Sequence, residues 1–205
     1  MLITNWGYTL VEADELPMLI TEEEFDDLTD KRFSGDIRVE STIAAVSASI
    51  RNFCGWHLAT NQLCECELNA LDGRLIRANS DVIVQLPTKH LTEVIRVEIN
   101  GNEIEDFTFK TSGNLRLFDC WGIGKRDTIK VTYRSGLPTG SIRGVQELIA
   151  NRVSRALSQS YGVQSESSGG VSITYNASFV AGQGAGALVD DNREVLIPYK
   201  LVEVF

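Results

Sequence analysis

The side chains best suited to chemistry in this sequence are four cysteines and two histidines: Cys54, Cys64, Cys66 and Cys120, with His57 and His90. Thiolates and imidazoles serve as nucleophiles, general bases and zinc ligands, so their spacing bears directly on function. Cys64 and Cys66 stand two apart on a segment with strand character, which puts both on one face. Cys54, His57 and Cys120 are the residues that would complete a zinc site. The paired C-x2-C knuckles of structural zinc sites are absent, and neither histidine lies in a catalytic motif. The expectation is buried free thiols in a reducing compartment, with no disulfide framework and no metal. Gly122-Ile123-Gly124-Lys125-Arg126 has the look of a phosphate loop. It lacks both the four residues between glycines and the Ser or Thr after lysine, and so reads as a tight turn. Gly182-Gln183-Gly184-Ala185-Gly186 lacks the strand before and the helix after that a dinucleotide site requires, and reads as linker. No catalytic centre and no cofactor are expected.

The charge distribution narrows the partners. Of a net charge of -9, residues 1 to 40 carry eight, through eleven acids and three bases, so the remaining chain is nearly neutral. Tight nucleic-acid binding needs a basic stripe to displace phosphate counterions, and none is present. The acidic stretch reads as a solvated helical face. With 43% hydrophobic and 23% charged residues the composition is that of an ordinary globular chain. No apolar run approaches the ~20 residues that span a bilayer. The N-terminus lacks the basic-then-apolar order of a signal peptide, so a cytoplasmic protein is expected.

The elements that must position these residues follow from periodicity. Thr21-Glu22-Glu23-Glu24 is a capping box, flanked by Ile20 and Phe25 as a hydrophobic staple, and predicts a short helix from 21 to about 30 after an extended arm. Val39, Ile43, Val46, Ile50 and Phe53 predict a long amphipathic helix over 36 to about 56. Ile142, Val145, Ile149, Val153 and Ala156, widened by Leu148 and Leu157, predict a second, opening after Pro138-Thr139-Gly140 and stopping at Gly162. Between them the period changes to 2, as in Ile95, Val97, Ile99 and in Ile129, Val131, Tyr133. Asp72-Gly73 and Asn100-Gly101 are hairpin turns. Further strands are expected near 63–70, 74–78, 82–86, 105–110 and 114–118, and a short one over 171–175 between two flexible stretches. The expected fold is α+β: a core of two long antiparallel helices plus the short N-terminal helix, a strand-rich β insertion between the core helices, and an extended C-terminal tail. The corresponding divisions are 1–60, 61–136, 137–162 and 163–205.

The tail ends in a run rich in apolar residues and β-formers, from Glu194 to Phe205. Two readings stay open: a terminus that docks on another chain, or a last strand folding back on its own subunit.

In this order the segments resemble the head-tail connector (adaptor) family of bacteriophage and prophage assembly proteins. Val39-Glu40-Ser41 through Ile50-Arg51 is similar to the family's first core helix. Leu86-Pro87 and Thr92-Glu93-Val94-Ile95-Arg96-Val97 resemble the strand entry after it. Asp127 through Gly136 looks like the strand and glycine stop before the second core helix, which residues 142–161 match. Gly170 through Tyr175 and Val195-Leu196-Ile197-Pro198-Tyr199-Lys200 look like the closing strand and the Leu-x-Pro-Tyr-basic ending. The match covers roughly 36–205. It implies a non-enzymatic virion protein of the neck, assembled in the host cytoplasm. It would form a closed ring of about twelve copies under the portal. DNA would pass through without specific binding, and head-closure or tail proteins would attach below. Within that reading Leu196, Ile197, Pro198, Tyr199, Lys200, Leu201 and Val202 are the portal-docking candidates. Arg143, Glu147, Arg152 and Arg155 are ring contacts or an ordinary solvated helix face. The alternatives are another neck or tail-completion protein and, in a different class, a cytoplasmic zinc- or thiol-containing enzyme or regulatory module.

Overall fold

The computed structural model describes residues 1–69, 74–78, 80–120, 122–124, 126–158, 165–168, 171–174 and 193–201. The chain divides into two compact units. One comprises Met1–Pro17, Cys54–Ser141 and Tyr199–Phe205; the other comprises Met18–Phe53 and Ile142–Pro198.

The first unit is built from strands: β1 (Leu2–Ile3), β2 (Thr9–Leu10), β3 (Gln62–Asn69), β4 (Leu75–Ala78), β5 (Asp81–Gln85), β6 (Leu91–Ile99), β7 (Asn102–Glu103), β8 (Phe107–Phe109), β9 (Asn114–Leu117) and β10 (Thr128–Ser135). They form a six-stranded sheet in the order β1-β2-β3-β10-β6-β7 and a four-stranded sheet in the order β4-β5-β9-β8. Every pairing is antiparallel. Strict alternation along β10 sends Ile129, Val131, Tyr133 and Ser135 inward and Thr128, Lys130, Thr132 and Arg134 outward. The inner faces of both sheets share one core, to which Leu10, Cys64, Cys66 and Leu68 contribute from one sheet and Val82, Val84, Leu115 and Leu117 from the other. Each such side chain, fully buried, stabilises the unit by about 1.5–3 kcal/mol.

Turn chemistry sets the register. Asn100 and Gly101 take φ of 52° and 81°, which closes the β6–β7 hairpin as a two-residue loop of left-handed residues. The Asn100 side chain also accepts from the Thr128 N–H at 3.0 Å and donates to Asp127 at 2.8 Å, tying this turn to the start of β10. At the other end of β10, Gly136 sits at φ +138° with its α-carbon against the Thr60 carbonyl. A β-carbon there would lie 2.0 Å from that oxygen, so glycine is the residue the corner admits.

The second unit is helical. In α1 (Glu22–Leu28), Thr21 caps the Glu24 N–H while the Glu24 carboxylate returns to the Thr21 N–H. α2 (Val39–Cys54) buries Val39, Ile43, Val46 and Ile50 along one face. A 3-10 turn over Thr139–Ile142 leads into α3 (Arg143–Ser158), which buries Val145, Leu148, Ile149, Val153 and Leu157. The Gln146 amide donates to the Leu19 carbonyl and to Glu24, both at 3.3 Å, bracing α3 against the entry to α1. A hairpin of β11 (Ser165–Ser168) and β12 (Val171–Thr174) follows, then α4 (Arg193–Leu196) and a 3-10 turn over Ile197–Tyr199.

The expected α+β architecture, a core of two long antiparallel helices with a β insertion and an extended tail, is overturned. The described residues are sheet-rich, with antiparallel sheets of six and four strands, a two-stranded hairpin and three substantial helices, and the two larger sheets bury a core of their own. An apolar stripe marks which face of a helix is buried but not what covers it. The strand segments had enough inward Val, Ile, Leu and Tyr to close a second core without helices. The N-terminal residues read as an arm supply β1 and β2, and Leu10 pairs with Cys64 across the sheet. The tail turns helical at Arg193–Tyr199 because Pro198 lacks the N–H that a central strand position needs. The Asp72-Gly73 turn, the Gly162 stop, the Ala181–Ala187 stretch and Val202 lie outside the described residues.

Candidate functional site

Two regions hold the residues singled out by type and spacing. The first is the C-terminal segment. The indole N–H of the fully buried Trp56 donates to the Tyr199 carbonyl at 2.8 Å, and the Leu201 N–H donates to the Cys54 carbonyl, also at 2.8 Å. That last bond satisfies a carbonyl at the C-terminal end of α2, where Gly55 takes the left-handed φ of 78° common after a helix. The Tyr199 hydroxyl donates to the Ser141 carbonyl at 3.2 Å. Residues 199–201 thus fold back on their own chain, and not as a strand. Within the segment Leu196 is buried, Val195 and Ile197 are 40% and 60% exposed, Pro198 is exposed, and Lys200 and Leu201 are half-buried. Val195 lies beside Gly144 of α3, where a β-carbon would approach it to 3.9 Å. Within the helical unit Val195, Ile197 and Pro198 thus present an apolar edge.

The four residues on α3 are not one polar face. Arg143 and Glu147 form an exposed i,i+4 ion pair at 3.2 Å, and Arg155 is exposed. Arg152 instead lies buried with Val153 in the helical unit. An exposed pair of this kind contributes only about 0.3–0.5 kcal/mol, so Arg143 and Glu147 remain available to a partner at little cost.

The second region is the corner where β10 ends. His57, wholly buried, has Nε2 2.9 Å from the Ser135 carbonyl, and a carbonyl only accepts, so Nε2 carries the proton. In the neutral ring Nδ1 then accepts from the Tyr8 hydroxyl at 2.7 Å, and the same hydroxyl accepts the His57 backbone N–H at 2.9 Å. His90 places Nδ1 2.9 Å from the carbonyl of the next residue, Gly136. Both imidazoles are spent on orienting one strand exit. Cys64 lies in the same corner, 3.5 Å from the Ser135 hydroxyl.

The thiols are poorly suited to nucleophilic or ligand chemistry. Burial pushes Cys54, Cys64 and Cys66 up to about 12, so they stay protonated at neutral pH, and Cys120 is raised by partial burial beside Asp119. Among the described residues no group of three His, Cys, Asp or Glu side chains is arranged to hold a metal ion. In the glycine turn Gly122-Ile123-Gly124, the Gly124 N–H donates to the Asp127 carboxylate, which occupies the position a phosphate oxygen would need.

Reasoning on isolated motifs passes over one surface, the outer face of the six-stranded sheet. Lys130 pairs with Glu65 at 3.1 Å, Arg96 with Glu98 at 2.8 Å and Glu103 at 3.5 Å, and Arg134 with Glu12 at 3.4 Å and Glu93 at 4.0 Å. The signal was present in the alternation of charged with apolar residues, but which acid meets which base depends on the pairing of β3, β10 and β6. Each of these three bases already has a carboxylate, so the face has little attraction for phosphate. No helix among the described residues is long and apolar enough to cross a membrane. No protein-family model matches the chain, and no curated protein is significantly similar to it.

Proposed function

We propose that this chain is a structural subunit of the neck of a tailed bacteriophage, a head-tail connector that forms a ring beneath the portal and docks on it through its C-terminal segment. The observation that carries the reading is an exposed apolar edge of the helical unit. Val195, which lies beside Gly144 of α3, and the exposed Ile197 and Pro198 keep an apolar surface outward. A pre-shaped apolar edge loses little conformational entropy on binding, which suits a docking element. It coincides with the Leu-x-Pro-Tyr-basic ending by which the sequence resembles connector proteins. Two further features favour a conduit lined without affinity for DNA: the acid-rich N-terminal stretch and the carboxylate-paired bases of the outer sheet face.

The test is co-expression with a tailed-phage portal protein, comparing the wild-type chain with an Ile197→Asp, Val195→Asp double variant. Both positions are exposed, so the variant should keep the wild-type circular dichroism spectrum. Loss of co-purification with portal, together with loss of rings in electron microscopy, supports the reading. Undiminished portal binding by the variant overturns the docking assignment, and co-purification with tail tube in place of portal moves the chain to tail completion.

A further inference from the structure

The turn between β6 and β7 joins a reactive dipeptide to a tightly held side chain. Where glycine follows asparagine, the glycine nitrogen can attack the asparagine amide carbon, because no β-carbon obstructs its approach. Asn100 and Gly101 are both exposed, and a β-carbon built on Gly101 would meet nothing within 4 Å. The fold restrains the other partner. The Asn100 side-chain oxygen accepts the Thr128 N–H at 3.0 Å, and its amide nitrogen donates to the Asp127 carboxylate at 2.8 Å. Asp127 is itself held by the Gly124 N–H.

The backbone is restrained as well. Closing a five-membered ring requires the Gly101 nitrogen to eclipse the Asn100 β-carbon about the Cα–C bond. A left-handed residue holds the two nearly opposite each other, and Asn100 sits at φ 52° with Gly101 at φ 81°. The Asn100 N–H donates to the Thr128 carbonyl at 2.9 Å, and Ile99 pairs with Asn102 across the loop, so the turn must open before the ring can form.

We propose that Asn100 is a deamidation site gated by the opening of the β6–β7 hairpin, and that the modified hairpin cannot return to its present tie with β10. The step needs no co-reactant but water. As the Gly101 nitrogen attacks Asn100 Cγ, an N–C bond forms and the Cγ–Nδ2 bond breaks. The nitrogen's proton departs with Nδ2 as ammonia and a succinimide remains. Water then opens the ring at either carbonyl. Opening at the backbone carbonyl gives isoaspartate, which adds one main-chain atom to a two-residue loop and spoils its pairing. Opening at Cγ gives aspartate, whose carboxylate meets that of Asp127 where the amide donated. The bonds from Asn100 and Gly124 hold the Asp127 carboxyl below its ordinary value, so it is charged at neutral pH and repels the new carboxylate.

The experiment is incubation of the full chain in mildly alkaline buffer, folded and in urea, with aspartate and isoaspartate at position 100 measured by peptide mass spectrometry. The wild type should react at least about tenfold more slowly folded than in urea. Asp127→Ala removes a hydrogen bond to a charged acceptor and should raise the folded rate about tenfold while leaving the rate in urea unchanged. Stability gives a second readout. Asn100→Asp should lower Tm, and adding Asp127→Asn should restore it, because donor and carboxylate then exchange sides. Equal wild-type rates in the two states, or a folded rate indifferent to Asp127→Ala, would overturn the gating. An Asn100→Asp variant as stable as wild type, or one that Asp127→Asn does not rescue, would overturn the lock.

Discussion

The sheet unit and the helical unit solve the same problem, burying apolar side chains, over different sequence distances. In the helical unit each stripe forms locally: Val39, Ile43, Val46 and Ile50 share a face as soon as α2 exists, and Thr21 caps α1 with atoms three residues away. In the sheet unit nothing is buried until distant strands meet. Residues 62–69 pair with 128–135, and the Tyr8 hydroxyl finds His57 across 49 residues. The difference teaches where polar precision is needed. Helices satisfy their own backbone, whereas the corner of β10 needs two histidines, a tyrosine and a glycine to hold one strand exit.

Substitutions in the two units should therefore separate in size. The largest effect is expected at Gly136→Ala, where the new β-carbon would overlap the Thr60 carbonyl. A loss of about 4 kcal/mol or more in urea unfolding is expected, and a loss under about 1 kcal/mol would mean that the corner yields easily. Ile149→Ala in α3 should cost about 2–5 kcal/mol in the same measurement, the ordinary consequence of a cavity at a wholly buried side chain. Tyr8→Phe removes the hydroxyl that both accepts from and donates to His57 and should cost about 2–3 kcal/mol; a neutral result would show that the corner is held by packing alone. Thr21→Ala, which breaks a local cap on α1, should cost only about 1 kcal/mol.

The thiols sharpen the comparison through pH. Burial raises Cys64 and Cys66 in the sheet unit, with Cys54 at the end of α2, from an ordinary value of 9.0 to about 12. The folded chain then binds more protons than the unfolded chain between those values. The stabilisation is complete below about pH 9 and falls as pH rises toward 12. Melting curves from pH 7 to 11 should show that decline, and Cys66→Ala should make it shallower even as it lowers stability at neutral pH. An alkaline limb unchanged by that substitution would show that Cys66 is not responsible for it.

Much of the local structure was legible. The capping box of Thr21 and Glu24, the apolar faces of α2 and α3, the Asn100-Gly101 turn and most strands of the first unit follow from patterns that need only neighbouring residues. The apolar edge of Val195, Ile197 and Pro198 was legible only as part of an apolar terminus. The holding of Tyr199 by Trp56 depends on a hydrogen bond across 143 residues. The same limit hid the role of His57, which as a lone imidazole gives no sign that Tyr8 and Ser135 will occupy it.

By itself the sequence determined the helices α1, α2 and α3 and most strands between α2 and α3, because side-chain period and turn chemistry act within a few positions. It also determined the acidic bias of the first forty residues and the absence of a basic stripe. Only the tertiary structure decided that the strands close a core of their own, that β1 and β2 join it, and that the Tyr8 hydroxyl meets His57. Period says that a face must be covered; the identity of the cover is a long-range choice among competing burials, and no local pattern encodes it.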